Sequence, residues 1–182
     1  MSPIDSESDP VVLAVDDDEE ILETYRLWLF DVADVRTAVD GETALDTLRD
    51  DVDVILLDRM MPGLSGREVL ERVRETDGEY LVVVATAVDP GYDVVDSDCD
   101  AYLPKPMSRE RLVETVDRVR RRDEYPSQVQ EYLRLRSLKR TLEAVKDHGT
   151  LGQRDEYRRL CERIDALEAE CRDDLDDVDA LG

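Results

Sequence analysis

Three carboxylates, a hydroxyl and an ammonium stand where apolar runs stop. Val11-Val12-Leu13-Ala14-Val15 ends at Asp16 and Asp17, and Val54-Ile55-Leu56-Leu57 ends at Asp58. Tyr80-Leu81-Val82-Val83-Val84-Ala85 ends at Thr86, and Ala101-Tyr102-Leu103 is followed by Pro104-Lys105-Pro106. Short, continuous, branched apolar runs read as strands buried on both faces. Open parallel sheets place their ligands at the carboxyl ends of such strands, at the topological switch point. Several carboxylates in one crevice repel unless a cation joins them, and an oxygen-only donor set with few protein ligands suits Mg²⁺. A hydroxyl and an ammonium beside it would complete a cradle for a phosphoryl group. A carboxylate there can act as nucleophile and become an aspartyl phosphate.

The elements that must position these groups follow from periodicity. Ile21, Leu22, Tyr25, Trp28 and Leu29 recur at helical spacing behind Asp18-Glu19-Glu20, so Trp28, the single tryptophan, is expected in the core. Asp34 to Ala38 reads as a second strand. Asp40-Gly41-Glu42 opens a helix that turns Ala44, Leu45 and Leu48 inward. Pro62-Gly63 turns the chain after Asp58, and Ser65-Gly66-Arg67-Glu68 is a capping box that starts a helix carrying Val69, Leu70 and Val73. Residues 90–100 are short and polar and hold at most a weak helix. Ser108 caps a further helix through Leu112, Val113, Val116 and Val119. Five strands with interleaved helices predict an α/β fold, a doubly wound, flavodoxin-like parallel sheet ordered 2-1-3-4-5.

Val-Asp-Asp at 15–17, Leu-Leu-Asp-Arg-Met-Met-Pro-Gly at 56–63, Ala-Thr-Ala at 85–87 and Tyr-Leu-Pro-Lys-Pro at 102–106 together resemble the receiver domain of two-component response regulators. The resemblance implies that Asp58 is the phospho-acceptor and that a sensor histidine kinase is the donor. It implies that Asp17 binds Mg²⁺ directly, that Asp16 assists, and that the backbone carbonyl of Met60 supplies another ligand. Lys105 and Thr86 would hold the phosphoryl oxygens, Tyr102 would be the switch aromatic, and the peptide before Pro106 would be cis. Met60 and Val88 stand where many receivers carry polar residues that position hydrolytic water, which implies slow self-dephosphorylation; by the resemblance, that and self-phosphorylation from a phosphodonor are the only catalysis expected, and the chain is not otherwise an enzyme. An aspartate-nucleophile phosphatase, the remote alternative, would need an acid/base aspartate at position 60, which is Met60.

Domain boundaries are expected at a disordered leader (1–10), a receiver (11–122), a linker (123–126), a helical module (127–175) and an acidic tail (176–182). Leu135, Leu138, Leu142 and Val145, then Tyr157, Leu160, Ile164, Leu167 and Cys171, form two apolar stripes separated by His148-Gly149. Two such helices suggest an antiparallel hairpin whose seam closes internally or in a homodimer. The stretch around Leu138-Lys139-Arg140 and Leu142-Glu143 resembles the HalX domain found behind haloarchaeal receivers. Its output is either DNA binding in transcription regulation or a protein contact, as in an adaptor or phosphorelay intermediate. From residue 123 onward there are 10 basic and 16 acidic residues, which disfavours DNA.

The whole chain has 182 residues and a net charge of −23, with acidic groups along its full length and only three lysines. That balance is expected of a cytoplasmic protein from a salt-loving cell. No apolar run approaches the roughly 18 residues of a membrane span. Cys99, Cys161 and Cys171 lack metal-like spacing and suit small-hydrophobe roles. At about 1 M salt the Debye length is near 3 Å and self-repulsion is screened. Far-UV circular dichroism across a salt titration should therefore show loss of structure in dilute buffer and recovery towards molar salt. Full ellipticity at very low ionic strength would contradict the salt-adapted reading.

Overall fold

The computed structural model describes residues 9–87, 97–122, 125–146, 151–172 and 175. Within them the order is β1 (Val11–Val15), α1 (Glu19–Leu29), β2 (Asp34–Ala38), α2 (Gly41–Thr47), β3 (Val54–Asp58), α3 (Gly66–Arg74), β4 (Leu81–Thr86) and β5 (Ala101–Pro104). Three helices follow: α4 (Arg109–Arg122), α5 (Ser127–Val145) and α6 (Asp155–Glu170). The strands form one parallel sheet ordered β2-β1-β3-β4-β5. The chain folds as two compact units, one ending at Leu81 and the other starting at Val82.

In the first unit the central strands are apolar up to Val15 in β1 and Leu57 in β3, as strands covered on both faces require. All five residues of β3 are buried, as are Val12 to Val15 of β1. Helix starts follow local chemistry. Asp18 accepts from the Glu20 amide at α1, and Asp40 accepts from the Thr43 amide at 2.7 Å at α2. At α3 the Ser65 hydroxyl accepts from the Glu68 amide while the Glu68 carboxylate accepts from the Ser65 amide at 3.0 Å. Hydrogen bonds from Ser65, hydroxyl first and amide second, hold the Glu68 carboxyl below its ordinary value. The apolar stripe of α1 is narrower than its periodicity suggests. Leu22, Tyr25 and Leu29 are buried, but Trp28 is only half-buried, and the neighbouring Leu27 and Phe30 are 69% and 76% exposed. Leu45 and Leu48 are likewise half-buried, and α2 ends at Thr47, with Leu48 as its extended C-cap.

In the second unit β4 and β5 pair in register from Val83↔Ala101 to Thr86↔Pro104. Helix α4 packs on β5, and α5 packs on β5, α4 and α6. The expected hairpin is antiparallel: the Tyr157 hydroxyl donates to Glu143 at 2.6 Å, and Arg163 pairs with Glu131 at 2.9 Å further down. Leu135, Leu138 and Leu142 are buried, as are Leu160, Ile164, Leu167 and Cys171. Val129 and Tyr132 extend the buried stripe towards the start of α5, whereas Val145 and Tyr157 are half-buried. The seam therefore closes inside one chain.

The arginine-rich end of α4 is more than a solvated junction. Arg122 is 5% exposed and donates through Nη1 to the Asp100 carbonyl at 2.6 Å, while its Nε has no partner among the described residues. Burial is the main reason its pKa is pushed down to about 10, with the charge of Arg118 adding to it. Arg134 of α5 donates to the carbonyls of Ser97 and Cys99, so two arginines grip the segment leading into β5. The expectations on the leader (residues 1–8), the weak helix (88–96), His148, and the tail from 176 onward lie outside the described residues.

Gly66 tests how tightly α3 is seated. A β-carbon there would meet the Asp58 carbonyl oxygen at 2.1 Å and the Arg59 α-carbon at 2.9 Å, whereas one at Gly152 would meet nothing within 4 Å. Gly66→Ala should destabilise by about 1–3 kcal/mol, the usual range for overpacking a tight site. Gly152→Ala should stay within about 0.5 kcal/mol, as surface changes do. Denaturant midpoints measure both, and equal midpoints would refute the tight seat.

Candidate functional site

The parallel register sets the first half of the site. Val15 lies beside Leu57, so the next residues, Asp16 and Asp58, leave neighbouring strands side by side. Both are buried, at 2% and 7% exposure. A buried ionised carboxylate is costly unless hydrogen-bonded. Each here receives a backbone N–H from two residues downstream: Asp18 donates to Asp16 Oδ1 at 3.0 Å and Met60 donates to Asp58 Oδ2 at 2.6 Å. The Asp16 amide in turn donates to the Ala38 carbonyl at 3.2 Å, which ties the end of β1 to the end of β2.

The loop after β3 is equally constrained. Gly63 has φ 77°, a left-handed conformation that glycine adopts without steric cost. The Gly66 amide donates to the Arg59 carbonyl, closing the loop back onto α3. Met60 is well exposed on this loop, while Met61 is buried. Asp17 is exposed, so Asp16 is the aspartate of the pair that the fold buries.

The second unit brings Thr86 and Lys105 together. Thr86 is buried at the end of β4, and its carbonyl accepts from the Lys105 amide at 2.9 Å. The Lys105–Pro106 peptide is cis. Tyr102 is buried on β5 opposite Val84.

Among the described residues, no three His, Cys, Asp or Glu side chains gather closely enough to cage a metal by themselves. The donor set still fits Mg²⁺, which keeps several waters and takes one or two carboxylates, whereas a caging metal would need more. Two buried carboxylates at adjacent strand ends, in a chain already rich in negative charge, are the chemistry such a cation neutralises. Gly66 is the residue here whose role the sequence disclosed least. It stands inside the Ser65–Glu68 capping box, but its necessity comes from its approach to the Asp58 backbone.

A family model described as the response regulator receiver domain matches residues 12–117, and one described as the HalX domain matches 121–181. A Haloferax volcanii protein named as a candidate transcriptional regulator is 41% identical over 170 residues, covering 93% of this chain and 29% of its own length. Response regulator MprA of Mycobacterium bovis is 36% identical over 148 residues, covering 79% of this chain and 64% of its own. The chain thus spans less than two thirds of the length of these relatives. Among solved structures, the BeF3-activated DrrB receiver domain aligns at TM-score 0.55 with 31% identity, over 59% of this chain and 94% of that one. Thermotoga maritima TrrA, in complex with Mg²⁺ and BeF, aligns at TM-score 0.53 with 28% identity, over 60% of this chain and 97% of that one. With the sheet order, the paired aspartates at its strand ends and these matches in hand, the chain is a member of the response regulator receiver family that carries a HalX domain behind its receiver.

Proposed function

We propose that this chain accepts a phosphoryl group on Asp58 from a sensor histidine kinase and passes that state to its C-terminal helices. The observation that carries the reading is the side-by-side burial of Asp16 and Asp58, each fixed by a backbone N–H. In the transfer, the phosphorus–nitrogen bond of the donor breaks and a bond forms to an Asp58 carboxylate oxygen. The Met60 amide holds the carboxylate in one orientation, which lowers the entropic cost of attack. Lys105 and Thr86 would bind the equatorial oxygens of the group in transfer. Mg²⁺, held by Asp16, Asp17, Asp58 and the Met60 carbonyl, would neutralise charge on the transferring group. Met60 offers no polar group to aim a water at the product, which favours a long-lived phospho-form. Val88, the other position in that expectation, lies outside the described residues.

Output runs through β5. Tyr102 is buried on that strand, and α5 packs against it, so a change in the ring's packing reaches the HalX helices directly. With the apolar seam closed within the chain, the HalX helices offer mainly charged surface, and that surface is acidic on balance. Contact with protein is therefore the favoured output over direct reading of bases. No described helix is long and apolar enough to cross a membrane, which suits work in the cytoplasm.

Incubation with a small phosphodonor and Mg²⁺, followed by mass spectrometric mapping, should place the label on Asp58 and lose it in Asp58→Asn. Label on another residue, or undiminished label in the variant, would sink the assignment. Asp17→Ala should weaken Mg²⁺ binding at least tenfold, about 1.4 kcal/mol, by loss of a direct ligand.

DNA binding to genomic fragments at near-molar salt should be weak and unselective, since phosphate contacts fade steeply with salt. Sequence-selective binding abolished by Arg136→Glu would overturn the protein-contact output. Leu138→Ala, which opens a cavity in the internal seam, should cost about 2–5 kcal/mol in a thermal or denaturant melt without changing the oligomeric state.

A further inference from the structure

Arginines elsewhere in the described structure are commonly matched with acids: Arg67 with Glu71 at 3.0 Å, Arg121 with Asp117 at 2.9 Å and Arg163 with Glu131 at 2.9 Å. Three arginines depart from this. Arg111 and Arg118 lie two turns apart on one face of α4, and Arg140 faces them from α5. All three line one cavity of about 450 Å³, floored by Tyr102 and Leu103 of β5. None of the three guanidiniums makes a salt bridge or hydrogen bond with a described residue, although acids outnumber bases 47 to 24 in this chain.

Two acids, Glu110 and Glu114, line the cavity with the three arginines, so the lining keeps a formal balance of one positive charge. Glu110, at the start of α4, is held below its ordinary value first by its own backbone amide and then by the Ser108 hydroxyl. Glu114 attracts Arg118 but stands beyond ion-pair distance. Arg111, Arg118 and Arg140 are all solvent-exposed; partial desolvation lowers the Arg118 pKa first, Glu114 opposes this, and the charges of Arg140 and Arg111 lower it further. Three cations that repel one another across an open space are therefore held together by the packing of α4 and α5 on β5. The hydroxyls of Ser137 and Thr141 line the wall beside Arg140, and Thr141 donates to the Ser137 carbonyl at 3.1 Å.

Guanidinium groups bind phosphate oxygens in bidentate fashion, and arginine is the residue of choice where that geometry matters. The cavity volume lies within the range of small-molecule sites, roughly 300–1,000 Å³, and is larger than a single monovalent ion needs. We propose that this cavity between α4, β5 and α5 is a binding site for a small molecule bearing a diphosphate group. Arg111 and Arg118 grip it from one wall and Arg140 from the other. Because the ligand bridges α4 and α5, it reinforces the seating of α5 on the receiver strand β5. Neither Asp16 nor Asp58 is among its lining residues, and binding there does not depend on phosphorylation.

Calorimetric titration of the full chain tests this, in near-molar potassium chloride with a chelator present to exclude binding through Mg²⁺. The probes are inorganic pyrophosphate and ADP. Saturable binding is expected, weakened at least tenfold by Arg118→Gln and by Arg140→Gln. It should be unchanged in Arg121→Gln, whose side chain is paired with Asp117 outside the cavity, and in Asp58→Asn. Tighter binding of pyrophosphate assigns recognition to the diphosphate alone, and tighter binding of ADP shows that the nucleoside also fits. Should an arginine variant fail to fold by circular dichroism, amide shifts in the parent protein decide. Changes on titration centred on Ser137 and Arg140 support the site, and changes centred on Asp16 and Asp58 overturn it. Absence of saturable binding by either probe up to about 10 mM, an affinity weaker than roughly −3 kcal/mol, also overturns it. So does binding that Asp58→Asn abolishes.

Discussion

Two carboxylates withdrawn from water, Asp16 and Asp58, are the constraint around which the first unit is arranged. Each sits at the end of an apolar strand, and the parallel register of β1 and β3 leaves them adjacent. Burial favours the neutral form of a carboxyl, and a like charge alongside favours it further, so an ionised pair needs donors fixed in place. The amides of Asp18 and Met60 are such donors, and both belong to tight turns that begin as soon as the strands end. The first turn leads into α1, capped by Asp18; the second leads through Gly63 into α3, capped by Ser65. Gly66 lets α3 approach the Asp58 backbone to a distance that no side chain would allow. The Asp58 carboxylate is thereby held in one orientation by the amide of its own loop.

The second unit turns close packing to a different end. Helix α5 does not leave the receiver as a free arm. It lies on β5 and α4, and Arg134 and Arg122 fasten the segment before β5 through its carbonyls. A buried arginine whose Nε finds no partner among the described residues is an uncomfortable group, and breaking such a contact costs less than breaking a fully satisfied one. The joint between receiver strand and HalX helix thus combines a firm apolar seam with weakly satisfied cations. The arginine cavity, lined by Tyr102 and Leu103, lies against this joint.

Charge sets the terms for both units. With 47 acidic and 24 basic residues, the chain carries a large self-repulsion that dense salt would screen. The 41% identical relative belongs to Haloferax volcanii, in keeping with that reading. Acidic side chains serve as helix caps and arginine partners, as Asp40, Glu68 and Glu131 do. The lowered carboxyl pKa values of Asp40 and Glu68 come from hydrogen bonds with residues of their own caps, so their contribution is full above the ordinary carboxylate range. It fades as the pH falls through the lowered values.

The strands, the chemistry at their ends (Asp16, Asp58, Thr86 and Lys105) and the starts of the helices were legible in the amino-acid order alone. These depend on local causes: runs of branched residues between turn signals, and cap side chains bonding amides two or three residues away. Helical periodicity likewise marked the Leu138 and Ile164 stripes. It could not say how far each apolar face extends under its cover, so Trp28, Leu45 and Val145 emerged only half-buried. Nor could it say which of Asp16 and Asp17 is withdrawn from water, that Arg122 is buried, or that Arg111, Arg118 and Arg140 face one another. Those outcomes depend on elements remote in sequence meeting at fixed distances, and only the packed structure sets them.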